Sequence, residues 1–207
     1  MKQKTQLCLA LDTASDTTSV ACLSSTGESA ALQETLPRGQ GEFLFQMIQQ
    51  VLQKMNKKTK DLTLIAATIG PGSFTGVRIG LATARGLGLA LNIPVLGVDN
   101  FQATASLFSQ KVKVVLESKR DDYFVQTFDK KNLAINTPSL ETTTQLKKEL
   151  PFLACGSGAQ RLAEEIGCDI ISSSTPLAFQ VAKIALHEPN KTLEPHPLYL
   201  READVSI

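Results

Sequence analysis

The chain opens on an alternation of short apolar runs and polar breaks. Leu7–Leu11 reads as a buried strand that ends at Asp12, Thr13–Asp16 as a turn, and Thr18–Leu23 as a second strand. A turn over Ser24–Glu28, containing Gly27, leads to a third strand over Ala30–Leu36. Short strands joined by tight turns predict an antiparallel meander. Pro37–Gly41 breaks the pattern, and Glu42–Met55 then takes up a helical period. Leu64–Ile69 is a strand, about Thr75–Leu91 a helix, and Pro94–Val98 a parallel strand, which completes a strand–helix–strand unit.

The second half carries a weaker version of the same signals. Helices are expected at Asn100–Ser109, Thr144–Leu150, Ala159–Ile166 and Pro176–His187, and strands at Val112–Leu116, Tyr123–Phe128 and Phe152–Cys155. The two halves read as degenerate copies of one unit. The expected domains are a first lobe at 1–99, which carries the dimerisation helices, and a second, smaller lobe at 100–207.

Two helices depart from the ordinary pattern. On Glu42–Met55 the apolar positions, Phe43, Leu44, Phe45, Met47, Ile48, Val51, Leu52 and Met55, cover an arc of roughly 200°. A helix on one sheet needs a stripe only a little over ~100° wide. Either a second element of the same chain or a partner covers the excess. The next helix contains Gly76, Gly80, Gly86 and Gly88. Each interior glycine costs about 0.8–1 kcal/mol relative to alanine. Gly76, Gly80, Ala84 and Gly88 recur every four residues as a small-residue ridge that admits close approach of another backbone, so dense packing can offset the cost.

Composition narrows the function. The chain has 207 residues, 43% hydrophobic and 20% charged, with a formal net charge of +1. That is ordinary globular composition without the overall basicity of a nucleic-acid wrapper. No run approaches the ~18 apolar residues of a membrane span, and Leu7–Leu11 is too short for a signal peptide. The expected location is cytoplasmic, with no membrane partner. Cys8, Cys22, Cys155 and Cys168 form no C-x-x-C pair and read as buried thiols. The two histidines, His187 and His196, lie near the C-terminus, so no metal and no other cofactor is expected.

Two segments hold candidate chemistry. Asp12 and Thr13 end a strand, where a carboxylate and a hydroxyl can hold a metal–phosphate complex or orient a water, or can simply make an Asx- or Thr-type turn. Gly70–Gly80, GPGSFTGVRIG, follows a strand and opens a helix that Ser73 or Thr75 can cap. Such a junction is an anion site or a tight turn made for packing. It lacks the Lys-Ser or Lys-Thr pair of a P-loop. Arg78 and Arg85, about two turns apart on one face, suit an interface or a phosphate. A G-x-S-x-G elbow is absent.

LALDTASDTTSVAC near the start, GPGSFTGVRIG with the following ATARGLGLALNIPVLGV, and PLYLR at Pro197–Arg201 together resemble the TsaB (YeaZ) family. The resemblance implies an α/β fold of the actin-like, sugar-kinase and Hsp70 (ASKHA) type: two lobes with mixed sheets and an abbreviated second lobe. It implies a non-catalytic relative of TsaD, which transfers a threonylcarbamoyl group to the adenosine beside the anticodon of tRNAs reading codons that begin with A. TsaD holds its metal through an H-x-x-x-H pair, whose positions fall here at Asn100 and Thr104. An amide and a hydroxyl are poor substitutes for imidazole. The implied partners are a TsaD-like catalytic subunit, a TsaE-like ATPase, a second copy of this chain as a possible homodimer, and tRNA reached through the complex. On this reading Asp12, Thr13, Gly70, Gly72 and Ser73 are the remnant of a nucleotide cleft. Phe43, Phe45, Met47, Gly76, Gly80 and Ala84 are expected at the partner interface. Many relatives carry a histidine near the start of the first helix, where this chain reads Gly39-Gln40-Gly41. The alternative functions are an ATP-dependent phosphotransferase or ATPase and, less favoured, a glycoprotease-like peptidase.

Overall fold

A computed structural model describes residues 5–35 and 40–201. Leu36 and Gly39, to which expectations above were attached, lie outside the described residues. The first sheet has the order β3-β2-β1-β4-β5, from β1 (Leu7–Asp12), β2 (Thr17–Ser24), β3 (Ser29–Thr35), β4 (Leu64–Thr68) and β5 (Val95–Val98). β1, β2 and β3 pair antiparallel, whereas β4 and β5 add in parallel. The second sheet repeats this arrangement. β6 (Val112–Glu117), β7 (Asp122–Phe128) and β8 (Ser139–Thr142) are antiparallel, and β9 (Leu153–Cys155) and β10 (Asp169–Ile170) add in parallel. The second copy is the shorter one: its last three strands have 4, 3 and 2 residues, against 7, 5 and 4 in the first. β8 and β10 have no counterpart in the sequence reading, because so few residues carry no measurable alternation.

Among the described residues six α-helices complete the layers: α1 (Gln40–Lys54), α2 (Phe74–Leu91), α3 (Asn100–Ala105), α4 (Thr143–Lys147), α5 (Ala159–Ile166) and α6 (Leu177–His187). α1 and α2 cover one face of the first sheet through Leu9, Leu11, Val20, Leu44, Val51, Ile65 and Leu81. The opposite face, carrying Cys8, Ala10, Ala21 and Ala66, is covered by α6 through Ala178, Val181, Ala182 and Ile184. The helices that end the two halves are thus exchanged. α3 packs on the second sheet through Phe101 and Ala105, while α6 returns to the first. A division at 99/100 assigns α3 to the sheet it touches but leaves α6 with the wrong one. An apolar period identifies a helix without naming the sheet it will meet.

The C-terminal segment also returns to the first lobe. Gly97 and Leu193 exchange backbone hydrogen bonds of 2.7 and 2.8 Å, and the Leu198 N–H donates to the Ile69 carbonyl at 2.7 Å. The edge of the sheet beyond β5 is therefore partly covered, as an edge with unpaired backbone groups requires. Among the described residues no helix is long and apolar enough to cross a membrane.

Candidate functional site: the cleft between the sheets and the outer face of α1

Asp12, Pro71, Gly72, Asn100, Thr104, Ser157 and Gln160 line a cavity of about 290 Å³ between the two lobes. Each arrives at the end of an element. Asp12 closes β1 and is only 3% exposed. Its Oδ1 accepts from the Thr68 hydroxyl at 2.8 Å and from the Ala14 N–H at 3.2 Å. Burial pushes its carboxyl up to about 6, against the pull of those two hydrogen bonds. A carboxylate held this way accepts a proton or a hydrogen bond more readily than an exposed one.

Asn100 opens α3, and the side chain of Asp99 caps that helix by accepting from the Gln102 N–H at 2.8 Å. The Asn100 N–H donates to the Gly70 carbonyl at 2.9 Å. Asn100 is 5% exposed, and its side-chain Oδ1 has no hydrogen-bond partner among the described residues. Thr104, one turn on, is equally buried and lines the same cavity. The two positions where the resemblance places imidazoles thus face the cleft with an amide and a hydroxyl. Among the described residues no three His, Cys, Asp or Glu side chains lie together as a metal-ion group.

Thr13 does not share the cleft. Its hydroxyl donates to the Gly76 carbonyl at 2.6 Å, which ties β1 to the first turn of α2. A Cβ placed on Gly80 would stand 2.5 Å from the same hydroxyl. The small-residue ridge is filled from inside the chain: Gly80 lies on Thr13, and a Cβ on Gly88 would meet Val95 at 2.2 Å. Gly76, Gly80 and Ala84 are buried here, as is Met47, so these four positions do not form an exposed interface. The glycine spacing announced a close approach correctly but not that the approaching group was the chain's own first strand.

The Gly70–Ser73 turn has a similar explanation. A Cβ on Gly72 would stand 2.3 Å from the Ala14 carbonyl, and that carbonyl accepts from the Ser73 N–H at 2.7 Å. Gly70 has φ +103° and abuts the Leu198 carbonyl. Ser73 caps α2 by accepting from the Gly76 N–H at 3.2 Å. The glycines let three chain segments meet, and of this turn Pro71 and Gly72 line the cleft.

The remaining candidates lie on α1. Leu44, Met47, Ile48, Val51 and Leu52 turn inward and are buried. Phe43 and Phe45 stand 44% and 54% exposed. The overwide apolar arc therefore resolves into an ordinary buried stripe and two aromatic rings left in water. Phe43 borders a shallow hollow with Leu32, Glu34, Gln46, Met47 and Gln50.

The sequence reading missed Tyr199. Its hydroxyl accepts from the Arg78 Nε at 2.9 Å, its ring lies 5.2 Å from that of Phe74, and the Arg78 guanidinium sits 3.6 Å over the Phe74 ring. The PLYLR run carried the signal, but nothing in the spacing paired it with α2.

A family model described as "TsaD: tRNA N6-adenosine threonylcarbamoyltransferase" matches residues 38–116. The "tRNA threonylcarbamoyladenosine biosynthesis protein TsaB" of Escherichia coli K12 is 39% identical over 97 residues, covering 47% of this chain and 42% of that protein. The match thus spans less than half the length of that relative. Among solved structures, a Pseudomonas aeruginosa protein described as similar to peptidase YEAZ superposes with a TM-score of 0.79 at 23% identity, over 95% of this chain and 100% of that one. An activator of 2-hydroxyisocaproyl-CoA dehydratase from Clostridium difficile, solved with ADPNP, superposes with a TM-score of 0.52 at 10% identity, over 90% and 96% of the two chains. With its two mixed sheets the chain shares the fold of these structures, a two-lobed ASKHA-type fold. In its glycine-rich block and in its architecture, the chain is similar to proteins of the TsaB (YeaZ) family.

Proposed function

We propose that this chain takes part in forming the threonylcarbamoyl group on the adenosine beside the anticodon of tRNAs reading codons that begin with A. It acts as a non-catalytic subunit that binds and activates a TsaD-type catalytic subunit. A TsaE-type ATPase is a further partner, and in the absence of TsaD the same face joins two copies of this chain. The observation that carries the reading is the pair Phe43 and Phe45, exposed on a helix whose other large apolar residues are buried. Fully burying one such ring is worth about 1.5–3 kcal/mol. Half of that remains to be gained on docking, or about 1 kcal/mol for each ring. The cleft supports the reading from the other side, because Asn100 and Thr104 offer no imidazole to a metal.

Co-purification of the TsaD-type subunit with the double variant Phe43→Glu, Phe45→Glu tests the assignment. Both rings stand in water, so the variant is expected to keep its fold and lose the complex. Undiminished binding would overturn the interface.

A further inference from the structure

Next to the cleft lies a second cavity, of about 460 Å³, whose lining among the described residues includes Phe74, Tyr199, Lys119, Arg120 and Arg201 and no acidic side chain. Phe74 and Tyr199 are both 43% exposed. Arg78 lies over the ring of Phe74, 3.6 Å from its centroid, and 5.9 Å from that of Tyr199. Its Nε is fixed by the Tyr199 hydroxyl, and among the described residues it pairs with no carboxylate. Two rings and a guanidinium thus form one stacked, water-facing platform bordered by cations. Lys119 bonds Asp16 at 2.5 Å and Arg201 bonds Asp122, which hold the two cations in place. An ammonium has three donors and a guanidinium five, so both retain donors for another anion.

Aromatic rings interleaved with cations are what an unpaired nucleotide strand requires. Bases stack on the rings whatever their sequence, and phosphates take the charges. A duplex hides its base faces and cannot use such a platform. We infer that the face built by Phe74, Arg78 and Tyr199 binds a single-stranded segment of RNA, whose phosphates meet Lys119 and Arg201. That the RNA is the tRNA to be modified rests on the function proposed above; the binding itself does not. The subunit then holds the substrate directly as well as docking on its partner.

Fluorescence anisotropy of the isolated chain tests this, with an end-labelled anticodon stem–loop RNA and a blunt RNA duplex of equal length as probes. The stem–loop should bind saturably and in preference to the duplex, more weakly as salt rises. Phe74→Ala and Tyr199→Ala should each weaken binding on the order of tenfold, the loss expected of one stacked base. Circular dichroism and melting temperatures of both variants should match those of the native chain, which separates lost stacking from a damaged fold. Three results would each overturn the inference: no saturable binding by the native chain, equal binding of duplex and stem–loop with Phe74→Ala unaffected, or displacement of the RNA by an acidic peptide at equal charge. A chain that supports threonylcarbamoyl transfer without binding RNA would remove this inference alone. A chain that binds RNA yet is dispensable for transfer would remove the proposed function alone.

Discussion

Replacing Gly80 by alanine should destabilise the protein although alanine is the better helix former. In an open helix the change is worth about 0.8–1 kcal/mol of added stability. At Gly80 the new methyl carbon would stand 2.5 Å from the Thr13 hydroxyl, in a buried site where that hydroxyl already donates to the Gly76 carbonyl. Either α2 moves away from β1 or Thr13 gives up its hydrogen bond. Overpacking of this kind costs about 1–3 kcal/mol and a lost hydrogen bond about 1 kcal/mol. Set against the helical gain, the net loss is up to about 2 kcal/mol from overpacking alone and up to about 3 kcal/mol if the hydrogen bond is lost as well. Gly86 is the internal control, since nothing lies within 4 Å of a Cβ added there. Urea denaturation of both variants measures the contrast: Gly86→Ala should raise the midpoint and Gly80→Ala should lower it, with the slope unchanged. Thr13→Ala combined with Gly80→Ala removes the colliding atom. The pair should therefore show a coupling in which the double variant loses less than the two single losses together. If Gly80→Ala stabilises as Gly86→Ala does, the small-residue ridge does not pack on β1 and the account of the glycines is wrong.

Two further outcomes follow from burial. The carboxyl of Asp12 is held at about 6 in the folded chain, above the ordinary aspartate value, so the folded state binds its proton more tightly than the unfolded state does. That contribution is complete below about pH 4 and disappears as the pH rises through about 6, by at most about 3 kcal/mol. Asp12→Asn, which keeps an acceptor for Thr68 and Ala14, should flatten this part of the pH dependence of the melting temperature; parallel profiles for native and variant chains would contradict the assignment. Burial also pushes the Cys8 thiol up, and those of Cys22 and Cys155 up to about 12. A disulfide reagent near neutral pH should label the native protein only as fast as it unfolds and should find four thiols after denaturation. Rapid stoichiometric labelling of the native chain would contradict this.

Much of this arrangement is visible in the residues. Leu7–Asp12 and the turns at Asp16 and Gly27 announce the meander, and Gly70 to Ser73 mark where β4 passes into α2. Ser73 caps α2 as its chemistry suggests. What lies beyond reading depends on contacts remote in sequence. The buried alanines of α6 fit either sheet by period, and only the three-dimensional exchange with α3 decides. The excess of apolar positions on α1 signals an unfilled surface, yet it does not separate Met47, which turns inward, from Phe43 and Phe45, which do not. Asp12 was legible as a cleft residue because it ends a strand. Thr13 was not legible as the anchor of α2, because its partner Gly76 lies 63 residues away. The Arg78–Tyr199 contact spans 121 residues and leaves no local trace.

The central claim is that the chain works by docking on a catalytic partner rather than by chemistry of its own. Threonylcarbamoyl transfer to tRNA, reconstituted from the TsaD-type subunit, the TsaE-type ATPase and threonylcarbamoyl-adenylate, tests it most directly. Transfer should collapse when this chain is left out or replaced by the Phe43→Glu, Phe45→Glu variant, and should recover with native chain. A rate unchanged by its omission, or transfer by the chain alone, would contradict the account.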